Sequence, residues 1–327
     1  MSLKKWNPVR QIAAQLSKRD MELLGIGKTM RLAKRFNRVR YGRCEQIRQE
    51  QYDRDFDRLL AEHANGHLKE PIGKMEDGWL LDMSHSLPYL DQLIEEAEIV
   101  VAERGGRPPP PRAKPFILDI AKPEHLDRFP SFLNFALSAP VLKIVSDYLG
   151  FVPLLSTTMP PGLRLTESSS KYDPGAGGPY RESQLYHLDH HDSPLVYVIV
   201  LLRDVTIESG PFTFLPASAS ARAAAKLNYR KRGAPYRVSD KEIYSVVDEK
   251  EAIQLMYPKG TVLFLDSSQC FHYGSRDCAI PRYQMMYAFV SPCRTDFSDM
   301  LMKPRVYTRQ PSDSRLRRMV LTKSYRA

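Results

Sequence analysis

The chain has 327 residues, 43% hydrophobic and 26% charged, which suits one large domain with decorations or two small ones and excludes a disordered or collagen-like polymer. No run of about 18 apolar residues occurs, so no transmembrane segment is expected. The net charge of +10 sits wholly in residues 1–43, where 12 Lys and Arg face only Asp20 and Glu22; beyond them bases and acids balance.

Residues 5–62 read mainly as helix, with Trp6, Val9, Ile12, Ala13 and Leu16 at helical spacing and good helix formers in 30–36 and 43–62. Gly25 and Gly27 separate two helices, and 64–77 reads as a loop. A further helix is expected over 87–103, with Ser86 as N-cap and Pro88 in its first turn, stopping at Gly105-Gly106. Residues 108–111 form a polyproline linker. This divides the chain into a basic N-terminal helical region and linker, 1–110, and a second domain, 111–327.

Helix resumes over 123–148 and stops at Gly150. Strands are expected at 152–158, 161–167, 184–189, 195–203, 211–215, 243–247, 251–256, 260–266 and 282–291. Many short strands with Gly/Pro turns indicate a β-sandwich or barrel. Two insertions, 166–181 and 219–241, flank the expected mouth as candidate lids. No internal repeat is evident. The cysteines, Cys44, Cys270, Cys278 and Cys293, lack Cys-x-x-Cys spacing, and Cys270 and Cys293 suit buried positions in a reducing compartment. Lys4-Lys5 is not followed by an apolar core, so no signal peptide and a cytoplasmic location are expected.

The most informative stretch is 185–211, LYHLDHHDSPLVYVIVLLRDVTIESGP. His187 and Asp189 stand at i and i+2, on one face of a strand. His272 follows a later apolar run and supplies a third donor from another strand. Two imidazoles and a carboxylate make the facial triad of a non-haem Fe(II) oxygenase, which leaves coordination positions for a co-substrate and O2. Alone, the pair is weak: chance gives about half a His-x-Asp match in a chain of this composition. A second match, His190 and Asp192, sits three residues on.

Company strengthens the pair. The apolar run LVYVIVLLRDV, the turn IESGP and the phrase FTFLPASAS follow it, and Gly260, Asp266, His272, Gly274 and Arg282 come later in order. From about Phe132 to Pro292 the chain resembles the phytanoyl-CoA dioxygenase-like branch of the Fe(II)/2-oxoglutarate-dependent oxygenases. One departure is Ala217-Ser218-Ala219, where that family has Gly-Ser-His. The resemblance implies a mainly β fold with flanking α, a double-stranded β-helix (jelly roll, cupin-like) core behind the N-terminal helical region. It assigns the metal to His187, Asp189 and His272, because twenty residues then separate Asp189 from Gly210. His190, His191 and Asp192 become neighbours of the site or solvated loop residues, and Asp266 a turn residue.

The same resemblance gives Arg282 the distal carboxylate of 2-oxoglutarate, which its planar fork suits better than Lys would. Gln284, on the same strand face, is a second donor or a plain packed residue. The implied cofactors are Fe(II), 2-oxoglutarate as co-substrate and O2. The implied activity is hydroxylation of an unactivated C–H of a small molecule or carrier-linked substrate, with release of succinate and CO2. Halogenases of this kind carry a small residue where Asp189 stands; desaturation and ring closure share the intact triad. Arg222, Lys226, Arg230, Lys231 and Arg232 suit an anionic substrate or carrier, or a solvated face. Residues 1–43 read as an amphipathic arm for an anionic surface. A non-catalytic jelly-roll binding protein and a nucleic-acid-associated protein are the alternatives, though the arm lacks the aromatic interleaving of a base-stacking surface.

Overall fold

The apolar run 195–202 has no polar alternation, so a strand built from it must be covered on both faces. In the computed structural model, which describes residues 8–18, 21, 23–64, 72–110 and 113–323, that strand is β5 (Val196–Leu201). It lies inside a seven-stranded antiparallel sheet. The order is β1 (Trp79–Asp82), β8 (Val262–Asp266), β5, β10 (Arg282–Val290), β4 (Leu163–Ser168) and β2 (Ile117–Asp119). The short β3 (Leu154–Leu155) continues β4 alongside the end of β10. A second antiparallel sheet has the order β7 (Ile253–Gln254), β6 (Thr213–Phe214), β9 (His272–Tyr273).

Strand alternation divides the core into two layers. Val196, Val198, Val200, Val262, Phe264, Tyr283, Met285, Tyr287 and Phe289 face a helical layer. That layer comprises α3 (Leu90–Arg104), α4 (Pro123–Arg128), α5 (Ser131–Ala136), α6 (Ala139–Leu149), α10 (Arg315–Leu321) and the last turns of α2 (Ile26–His63). The alternate residues Tyr197, Ile199, Leu201, Leu263 and Leu265 face Phe212 and Phe214 of the smaller sheet. Two facing antiparallel sheets with helices on the outer side make the expected double-stranded β-helix. β1, α2 and α3 come from the segment 1–110 and bury into this same core; Phe56, Leu59 and Leu60 of α2 pack with the sheet's helical face.

Several elements differ from the sequence reading. The expected strand 243–247 is instead α8 (Asp240–Ile243) and a turn, because Ser239 and Glu242 form a reciprocal capping box that starts a helix. The helix expected from Ser86 begins at Leu90 behind Tyr89, while the Ser86 N–H donates to Ser84 Oγ in a preceding turn. The strand 184–189 is a 3-10 turn at Glu182–Gln184 followed by two isolated bridges, Tyr186–Val238 and His187–His272. Insertion 219–241 begins inside α7 (Ala217–Lys226), and insertion 166–181 begins inside β4. Trp6 and Pro111 lie outside the described residues.

The described part of the basic N-terminal segment packs against the rest of the chain. α1 (Pro8–Leu16) and α2 are separate helices, as the glycines at 25 and 27 suggest. Ala13, Leu16 and Ala33 pack on Phe297 beside α9 (Ser298–Leu301), and Asn37 Nδ2 donates to the carbonyls of Arg294 and Asp296. Val9 and Ile12 remain exposed. Arg48 of α2 is fully buried and donates to the carbonyls of Val152, Pro153, Met319 and Thr322, tying α2 to the sheet and to α10. No described helix is long and apolar enough to cross a membrane. All four cysteines are buried and free.

Phe264 is fully buried between sheet and helices. Phe264→Ala should lower unfolding free energy by about 3–5 kcal/mol in urea titration, the cost of a large unfilled core cavity; a loss under about 1 kcal/mol would contradict this packing.

Candidate metal centre

The chain alternates through 186–189. Tyr186 and Leu188 enter a core with Phe271 and Tyr273, while His187 and Asp189 turn into a cavity of about 1020 Å3. His187 and His272 exchange two backbone hydrogen bonds, each N–H donating to the other's carbonyl at 3.1 Å. Directly paired residues of antiparallel strands carry their side chains side by side, and the two ring centroids lie 4.4 Å apart. His187 Nε2 is 4.0 Å from Asp189 Oδ1, and His272 Nε2 is 3.9 Å from Asp189 Oδ2. One donor atom from each residue falls within 4.8 Å of the others. The Asp189 N–H donates to Ser267 O at 2.9 Å, and the Asp189 carbonyl accepts from Arg230 at 3.2 Å.

Both imidazoles are oriented the same way. His187 Nδ1 lies 2.9 Å from Leu185 O, and His272 Nδ1 lies 2.9 Å from Cys270 O. A carbonyl only accepts, so each Nδ1 carries hydrogen and each Nε2 keeps its lone pair for the cavity. Burial, reinforced by the neighbouring His272, pushes the His187 pKa well below its ordinary value and keeps the ring neutral. Phe212 stacks on His272 at 5.5 Å, and Tyr236 sets its edge against His187 at 5.9 Å.

The neighbouring His190–Asp192 pair is not brought together. Asp192 is fully buried, accepting from the N–H groups of Ser291 (2.6 Å) and Ser193 (2.9 Å). The solvated-loop reading of Asp192 is therefore wrong: the residue clamps the backbone at the end of β10. His191 Nδ1 meets Asp296 Oδ2 at 2.7 Å. His190 lines the cavity against Tyr236, with its Nδ1 buried and unpartnered. Asp266 ends β8 and accepts from Ser268 N and Oγ and from the Tyr148 hydroxyl, so it shapes the turn carrying Ser267. The triplet Ala217-Ser218-Ala219 opens α7 away from the cavity; Ser218 bonds to Asp77.

On β10, Arg282, Gln284 and Met286 line the cavity, while the intervening residues face the helices. Arg282 is 3% exposed. One terminal nitrogen donates to Gly210 O and the other lies 3.4 Å from Ser168 Oγ, while Nε has no partner. Among the described residues no carboxylate pairs with it, and burial lowers its pKa. Gln284 Nε2 is likewise buried without a partner. A buried cation without a counter-ion is costly, so this end of the cavity carries a positive charge that an anion would neutralise.

Gly210 makes this arrangement possible. Its φ is +57°, and a Cβ there would stand 1.8 Å from Arg276 O. No other residue could bring that carbonyl onto Arg282.

Signals the sequence reading missed lie at the mouth. No residue of 166–181 lines the cavity; the wall comes instead from 104–122, including Arg107, Pro108 and Ile117. Insertion 219–241 contributes Tyr236 and Arg237. Met159, Tyr197, Ile199 and Met286 make the walls largely apolar. The rim cations Arg104, Lys114 and Arg164 are paired with Glu167, Glu182 and Asp119.

No family model and no curated protein matches the chain. Solved structures similar to it are EctD from S. alaskensis with 2-oxoglutarate and 5-hydroxyectoine (15% identity, 66% of this chain and 72% of that one, TM-score 0.44). Another is the non-heme alpha ketoglutarate dependent epimerase SnoN from nogalamycin biosynthesis (15%, 72% and 82%, 0.41). A third is HygX from Streptomyces hygroscopicus with nickel and 2-oxoglutarate bound (15%, 65% and 83%, 0.39).

Burial raises the Asp192 pKa to about 6. The fold therefore favours the acid form: this stabilisation is complete below about pH 4 and is lost as pH rises through 6. A rise of this size is worth about 3 kcal/mol. Asp192→Asn, which cannot ionise, should gain on the wild type by about that much between pH 4 and pH 7 in urea titrations. A pH-independent difference would contradict it.

Proposed function

We propose that the protein is an Fe(II)/2-oxoglutarate-dependent dioxygenase that hydroxylates an unactivated C–H bond of a small-molecule or carrier-linked substrate. The observation that carries this reading is the convergence, on one cavity, of the cluster His187, Asp189 and His272 with a buried Arg282 that lacks a counter-ion. The donor set fits iron: two neutral imidazoles with free Nε2 lone pairs and one carboxylate leave part of the coordination sphere open. Iron and 2-oxoglutarate together supply oxygen activation coupled to oxidative decarboxylation of the co-substrate.

The chain's own residues do the rest. His187, Asp189 and His272 hold the metal, and the carbonyls of Leu185 and Cys270 fix the two rings in the ligating tautomer. Arg282 offers its guanidinium to the far carboxylate of 2-oxoglutarate, a bidentate match between planar groups. Gln284 adds its unpartnered amide to the same anion. Phe212 and Tyr236 flank the imidazoles, and the apolar wall of Tyr197, Ile199 and Met286 limits water beside the reacting bond.

Two measurements test this. His187→Ala, Asp189→Ala and His272→Ala should each lose iron and the release of succinate from 2-oxoglutarate, whereas His190→Ala keeps the iron. Arg282→Ala should keep iron yet bind 2-oxoglutarate at least 100-fold more weakly, since breaking a buried charge pair costs about 3–5 kcal/mol. Metal retained by Asp189→Ala, or equal 2-oxoglutarate affinity in Arg282→Ala, would overturn the assignment. Binding of 2-oxoglutarate without turnover would leave a binding module instead of an enzyme.

A further inference from the structure

The first turns of α2 meet the loop after α7 in a second recess, of about 650 Å3, that shares no lining residue with the metal cavity. Lys28, Arg31 and Lys34 enter it from the helix, and Arg230, Lys231 and Arg232 from the loop. The two segments are far apart in sequence and are joined by the Gly27 N–H donating to Arg230 O at 3.1 Å. No Asp or Glu lines the recess among the described residues. Among the described residues Lys34 alone of the six has an ion pair, at 3.9 Å from Glu45, and Lys231 Nζ donates to Asn228 Oδ1.

Of the other basic residues of the same insertion, Arg222 and Lys226 are spent elsewhere. Arg222 pairs with Glu251, and Lys226 donates to Val246 O. Arg230 reaches inward, donating to the carbonyls of Asp189 and Ser268, and its buried Nε has no partner. α2 begins without a side-chain cap and without an acidic residue in its first turn, so the helix dipole adds the same sign of charge.

Lys28, Arg31, Lys231 and Arg232 are exposed round one hollow, and like charges gathered there repel one another through the intervening solvent. An anion seated among them removes that cost. The hollow has the volume of a small-molecule site and is concave, whereas a membrane surface would be met by a flat basic face. The two arginine forks left to the recess, Arg31 and Arg232, suit the tetrahedral oxygens of phosphate. Met30 and Tyr229 supply apolar wall beside them.

We propose that this recess binds a phosphorylated small molecule, a phosphate monoester or diphosphate, at a site distinct from the metal cavity. Inorganic pyrophosphate is the probe, titrated calorimetrically into the full chain at fixed ionic strength without added metal. Saturable one-to-one binding is expected, weakened at least tenfold in Arg31→Ser/Arg232→Ser and unchanged in Arg222→Ser, whose charge lies outside the recess. Circular dichroism and thermal unfolding check that both variants fold; all three positions are exposed, so both should. Absence of saturable binding, or equal weakening in the two variants, overturns the proposal. So does attachment to vesicles of anionic phospholipid without binding of pyrophosphate.

Discussion

The site depends on one pair of backbone hydrogen bonds, those exchanged by His187 and His272. Neither residue stands in a long strand: β9 has two residues and the 186–187 segment makes only single bridges. The pairing is nevertheless enough, because a reciprocal antiparallel pair fixes which face each side chain takes. Once His187 faces the cavity, alternation carries Asp189 there and sends Leu188 into the core. Everything that locks this register serves the donor set: the Asp189 N–H on Ser267 O, the turn built around Asp266, and Phe212 against His272.

Arg282 imposes the second constraint. A guanidinium at 3% exposure without a carboxylate lowers stability until an anion meets it. The fold tolerates it by giving it the Gly210 carbonyl, which only a glycine in the left-handed region brings within reach. The cost is local, while the β10 residues between the cavity-facing ones, Tyr283, Met285, Tyr287 and Phe289, pack into the core against the helices. One strand thus carries both the stability of the sheet and the charge of the pocket, on opposite faces.

Much of this was legible in the sequence because it obeys a period of two. The runs 195–202, 260–266 and 282–291 are long and apolar enough to read as central strands. The spacing of the polar residues singled out His187, Asp189, His272 and Arg282, which the fold brings to one cavity. What escaped were features fixed by tertiary contact. β1 and β9 are too short to show a period. Asp192 looked solvated because its polar neighbours hid the backbone N–H groups that hold it. Residues 108–111 read as a linker because proline-rich chain gives no hint of what it leans on, and Pro108 and Pro110 line the mouth. The basic residues of α2 and of the 230–232 loop are ordinary surface charges until the fold sets them face to face.

The central claim is that the three donor residues and Arg282 form one site for metal and co-substrate. Anaerobic titration of Fe(II) and then 2-oxoglutarate, followed by visible absorption, tests it most directly, because the weak charge-transfer band requires metal and chelated co-substrate together. The wild type should develop the band saturably; His272→Ala should develop none, and Arg282→Ala should need at least 100-fold more 2-oxoglutarate to reach it. A wild type that binds iron but shows no band at saturating 2-oxoglutarate, or a His272→Ala variant that shows the full band, would contradict the account.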